Sequence, residues 1–214
     1  MKTQDLGIGW IDLVIVGLLV VGVLRGRKRG ISEELLDVVK WALIVVAGAL
    51  AYQPLGGFLA SSTPFSPLSS YVAVYTGIAL VFLLLFSYLR RAIGGKLIGS
   101  DIFGNAEYYL GMCAGVVRYA CIILVGMALL NARYYPQAEV RAHIKFQEDN
   151  YGSVYFPTFC AVQNQVFVDS FTGRATKNYL GMLLIRPTSP EEKGLAGASL
   201  LKARERNLFD VLDK

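Results

Sequence analysis

Residues 10–30 read WIDLVIVGLLVVGVLRGRKRG: a Trp10-Ile11-Asp12 opening, an apolar run from Leu13 to Leu24, and then Arg25, Gly26, Arg27, Lys28, Arg29 and Gly30. An apolar run bounded by a dense basic cluster reads as a membrane span ending on the cytoplasmic side, because Lys and Arg resist translocation. Leu13 to Leu24 alone would rise only about 18 Å as a helix, short of a hydrocarbon core about 30 Å thick. The span is therefore expected to take in Gly9, Trp10, Ile11 and Asp12, which puts an acid inside it. A secretory signal peptide would carry its cations in front of the apolar run, whereas here Lys2 is nearly alone there and the cluster follows. The segment is expected to be retained, with its N-terminus outside.

Working outward, the 214 residues are 54% hydrophobic and 17% charged, with a mean hydropathy of +0.47. That is too apolar for an ordinary soluble domain of this size. The apolar residues fall into blocks separated by polar breaks, which favours helices over the short alternating segments of a barrel. The expected fold is all-α: an integral membrane protein with four transmembrane helices in residues 1–130. An extracytoplasmic tail with an amphipathic helix follows over 131–185, and then a mobile C-terminus over 186–214. The net charge of +5 gathers largely beside the spans, so it reads as a topology signal and gives no reason to expect nucleic acid.

The second span must reach back from Trp41–Tyr52 to about Leu35 to be long enough, and so takes in Asp37 and Lys40. Ser32, Glu33 and Glu34 are expected to cap and charge its first turn. Glu33, Asp37 and Lys40 share one helix face by spacing and are expected to form a stripe in the interface, with Lys40 snorkelling to headgroups. Pro54, Gly56 and Gly57 are expected to end this helix. Tyr71 to Leu89 is free of charge and is followed directly by Arg90 and Arg91, a second cytoplasmic signal. In the fourth span, Tyr108 to Leu130, Gly111 and Gly115 form a small-xxx-small pattern, and Gly17 and Gly22 in the first span offer similar close approach. Arg118 lies about a third of the way into the fourth span, where an unpaired charge costs a few kcal/mol or more. Counting rise per residue, Asp12 is its expected partner and Asp37 the competitor. Beyond the spans, Phe159, Val162 and Val166, with Phe167 and Phe171, suggest either an amphipathic helix from Phe156 to Phe171 on the membrane or the bundle, or a short helix packed on a subdomain of its own.

Three cysteines, Cys113, Cys121 and Cys160, cannot all pair within one chain, and two of them lie in an apolar segment. His143 has no metal-ligand spacing around it. No HExxH, GxSxG, P-loop or CxxC constellation occurs. No metal, no cofactor and no enzymatic activity are expected.

The order Trp10-Ile11-Asp12, Arg29-Gly30 with Glu34, Trp41, then Glu107 and Gly111-x-x-x-Gly115-x-x-Arg118 resembles the colicin V production protein family. The resemblance covers roughly residues 9 to 160. It implies a bacterial inner-membrane accessory protein that supports toxin (bacteriocin) production or export and envelope homeostasis. The residues themselves leave a second reading open: a small oligomeric transporter or channel in which Asp12, Asp37, Lys40 and Arg118 line a charged pathway. Under either reading the partners are the lipid bilayer and further copies of the chain or other membrane proteins.

Overall fold

The computed structural model describes residues 9–93, 104, 106–152 and 158–188, and no strand is found among them. Helix α1 begins at Trp10 because Asp12 closes its first turn. The Gly9 N–H donates to the Asp12 carboxylate at 2.9 Å, and the Asp12 N–H donates to the Gly9 carbonyl at 3.0 Å. From there α1 runs Trp10–Ser62, with one break in helical geometry, at Gly30 (φ 73°, ψ 172°). The basic cluster, at which the span was expected to end, is therefore the last turn of a first helical arm, residues 10–29. Arg and Lys are good helix formers, and only at Gly30 does the backbone take a left-handed φ that a side chain would oppose. The arm is about 30 Å long, the thickness of a hydrocarbon core.

The second arm, residues 31–62, continues through Pro54 and Gly57, which do not end it. Membrane-type helices tolerate proline where neighbouring groups re-satisfy the backbone, and Gly56 is used to seat the ring of Tyr71. Helix α2 spans Pro67–Ile93 and α3 spans Ala106–Asn131. Together α1, α2 and α3 are three helices long and apolar enough to cross a membrane. Their outward surface carries Leu13, Leu50, Leu80, Val81 and Leu84 in exposed positions, as a lipid-facing surface would.

Contacts fix the directions. Gly22 meets Gly115, Gly26 meets Gly111 and Gly30 meets Glu107, so the first arm runs antiparallel to α3. Ser32 reaches Glu107 and Glu34 reaches Arg118, so the second arm runs alongside α3 in the same sense. Asp37 pairs with Arg90, Gly48 with Tyr75 and Gly56 with Tyr71, which sets α2 antiparallel to the second arm. Gly30 thus turns the chain back on itself. One end of the bundle holds residues 25–30, the end of α2 and the start of α3; the other holds Gly9, the α1–α2 turn and Asn131.

The first arm and α3 approach to backbone contact. A Cβ on Gly22 would lie 2.8 Å from the Gly115 carbonyl oxygen, and one on Gly111 2.5 Å from that of Gly26. Gly17 has open space around it and takes no part, contrary to expectation.

At the end away from the basic cluster, the tail packs onto the bundle. Helix α4 spans Gln137–Tyr151, α5 spans Phe159–Asn164 and continues as a π-helical turn to Asp169, and α6 spans Phe171–Tyr179. The continuous helix expected from Phe156 to Phe171 is instead two helices, with residues 156 and 157 outside the described part. The break falls at Ser170, whose hydroxyl accepts from Gly173 N–H to cap α6 at 3.1 Å and donates to Asp12 at 2.7 Å. Val166 and Phe167 are buried in one cluster with Ile11, Tyr52, Met127 and Ile185, while Phe159 and Phe171 face outward. Arg186 to Thr188, expected to begin a mobile terminus, are held: the Thr188 N–H donates to the Ala132 carbonyl at 2.9 Å and the Arg186 N–H to the Tyr52 hydroxyl at 3.1 Å. The remainder of that expectation, 189–214, lies outside the described residues.

Gly26→Leu is expected to overpack the first arm against α3, at a cost of about 1–3 kcal/mol or more, while Gly17→Leu leaves stability unchanged. Thermal midpoints of the two variants in the same detergent check this.

Candidate functional site

The second arm brings Glu34 and Asp37 onto one face, three residues apart. Neither is solvated: Glu34 is 0% and Asp37 4% exposed. Carboxylates this enclosed require cations, and each neighbouring rod supplies one. From α3, the Arg118 guanidinium donates to Glu34 at 2.8 and 3.1 Å and lies 3.1 Å from Asp37. From the first arm, Arg29 lies 3.4 Å from Asp37 and 3.6 Å from Glu34. From α2, Arg90 lies 3.7 Å from Asp37. Lys40, one turn along the same arm, completes the set at 2.7 Å from Asp37. Four cations surround two carboxylates, and every rod of the bundle contributes.

The geometry corrects several expectations. Glu34, not Glu33, belongs to the inward stripe, and Lys40 ends on Asp37 instead of snorkelling as the outer member of an interfacial face. Arg118 does not pair with Asp12, because Asp12 points to the opposite end of the bundle. There its carboxylate accepts from the Ser170 hydroxyl at 2.7 Å, from the N–H groups of Phe171 and Thr172 at 3.1 and 3.0 Å, and from the Thr172 hydroxyl. It is a tether for the tail. Trp10 lies beside it, exposed, its indole N–H donating to Gln165 at 3.2 Å.

The cap expected from Ser32 is supplied from across the bundle. Glu107, buried in the first turn of α3, accepts from the Ser32 N–H at 2.8 Å, so its negative charge sits at the start of the second arm, where the helix dipole favours it. The same side chain packs against Gly30. Gly30, Glu107, Gly111 and Gly115 therefore act together: the glycines admit α3 to the first arm, and the acid caps the arm that follows the turn. Trp41 lies one turn beyond Asp37 on the same arm, its indole N–H buried without a hydrogen-bond partner among the described residues. Arg90 was legible only as a topology marker, and Gly26 was hidden in the basic cluster, although the spacing Gly22-x-x-x-Gly26-x-x-x-Gly30 is a repeat of small residues in plain view.

Outside the bundle, burial pushes the Cys160 thiol up, which disfavours a reactive thiolate there. Among the described residues no group of His, Cys, Asp and Glu is arranged to hold a metal ion.

A family model described as colicin V production protein matches residues 11–148. The chain belongs to that family. The match contains the turn at Gly30, both glycine contacts and all six members of the ion network. Neither a curated protein nor a solved structure matches the chain. Within this member of the colicin V production protein family, the ion network combines residues from every rod, and the glycine contact joins the first arm to α3.

Arg118→Leu removes both hydrogen bonds to the buried Glu34 carboxylate and leaves it, among the described residues, only Arg29 at 3.6 Å, a loss expected to cost about 3–5 kcal/mol. A double-mutant cycle with Glu34→Gln should show coupling above about 1 kcal/mol, and one with Asp12→Asn coupling near zero, both read from unfolding in detergent. Asp12→Asn should instead loosen the tail, seen as faster tryptic cleavage at Arg174 and Lys177.

Proposed function

We propose that the chain is a bacterial inner-membrane accessory protein that supports toxin production or export and envelope homeostasis without catalysing a reaction. In this reading both arms of α1 span the bilayer, as do α2 and α3, giving four spans. The end holding Arg25, Arg27, Lys28, Arg29, Arg90 and Arg91 faces the cytoplasm, as the distribution of cations favours, and both termini are extracytoplasmic. Family membership supports the cellular role. The observation that carries the molecular reading is the ion network. Glu34, Asp37, Lys40 and Arg118 are engaged in tying rods together, which is the work of a rigid platform for other membrane proteins or further copies of the chain.

Two measurements test this. Purified protein in liposomes should give no solute or proton flux above empty vesicles; flux that disappears with Arg118→Leu would establish the oligomeric transporter instead. In a cysteine-free background, Glu205→Cys should react with a membrane-impermeant maleimide without permeabilising the inner membrane, and protection until permeabilisation would reverse the topology.

A further inference from the structure

Beside the ion network, on the other face of the first arm, an open groove of about 640 Å³ runs between that arm and the start of α3. It is lined by Leu24, Arg27, Lys28, Tyr108, Tyr109 and Met112. Its chemistry changes along its length. Leu24 lies four residues before Lys28, and Met112 four after Tyr108, so both lie about 6 Å deeper in the bundle than the cations and phenols at the mouth. Arg27 and Lys28 are exposed, and neither forms an ion pair among the described residues. The nearest acid in the sequence of α3, Glu107, is buried and turned to the Ser32 N–H, so it does not neutralise them.

We propose that this groove is a binding site for an anionic phospholipid. The phosphate sits between Arg27 and Lys28, whose long side chains reach the headgroup level. The rings of Tyr108 and Tyr109 flank it at the same depth, where amphipathic aromatic groups concentrate. One acyl chain lies over Leu24 and Met112. Among the described residues the two cations have no ion-pair partner and no carboxylate faces them, so the mouth has a partner for a phosphate and none for a choline or ethanolamine amine, and the site selects phosphatidylglycerol-type or cardiolipin-type headgroups over zwitterionic ones. This rests on the reading that the basic end lies at a membrane face, and the test is made in detergent, where orientation has no influence.

The full chain is delipidated, mixed with phosphatidylglycerol or phosphatidylcholine, and examined by native mass spectrometry. Phosphatidylglycerol should be retained at least tenfold over phosphatidylcholine. Arg27→Gln with Lys28→Gln should lower that retention at least fivefold, whereas Arg25→Gln with Arg91→Gln, an equal change of charge outside the groove, should leave it within twofold. Leu24→Trp, at an exposed position, fills the floor and should lower retention with every charge kept. Equal retention of the two lipids, equal loss from the control pair, or unchanged binding by Leu24→Trp would overturn the proposal. So would displacement of the lipid by inorganic phosphate alone, which would identify a free anion as the ligand.

Discussion

Two carboxylates on one helical arm, Glu34 and Asp37, each need more than one cation, and the bundle is arranged so that those cations come from different rods. Away from water a lone charge is costly, so an arrangement that separates Arg118 from Glu34, or Arg29 from Asp37, leaves both partners worse off. The network thereby sets two things for each rod: how far it is shifted along its axis and which face it turns inward. Apolar packing alone constrains the first weakly, because lipid tails and leucine side chains are nearly equivalent surroundings.

The network needs the rods close, and the glycines make that possible. Gly22, Gly26 and Gly30 meet Gly111, Gly115 and Glu107, so the first arm and α3 touch along their backbones. The contact ends at the turn, where Glu107 both fills the space beside Gly30 and caps the next arm through the Ser32 N–H. A side chain on α3 is therefore part of the mechanism that lets α1 reverse, and α3 and the α1 turn stabilise one another.

Much of this was visible in the sequence, and what was missed has a physical reason. Apolar length and the basic clusters mark where the long helices lie. Gly111, Gly115 and Arg118 announce a packed face with a charge that needs a partner. Residue counting, however, measures depth along an axis and says little about the direction a side chain takes around it. That is why Asp12 looked reachable from Arg118, and why Glu33 was favoured over Glu34. The destination of Asp12 depends on Ser170 and Thr172, more than 150 residues away, brought to it only by the fold of the tail. The arm's continuation through Arg25–Arg29 was obscured because a run of charge resembles a loop, although arginine and lysine are at home in a helix.

The turn at Gly30 also bears on how the chain enters a bilayer. A single residue joins the two arms of α1, so no slack is available for the first arm to insert and drift before the second is made. If both arms span, as proposed, they enter as one hairpin whose tip carries Arg25, Arg27, Lys28 and Arg29. On the proposed topology, a tip so charged resists crossing and would anchor the hairpin from the side on which the protein is made. The orientation of the whole molecule would, on that topology, be set before α2 or α3 has been synthesised.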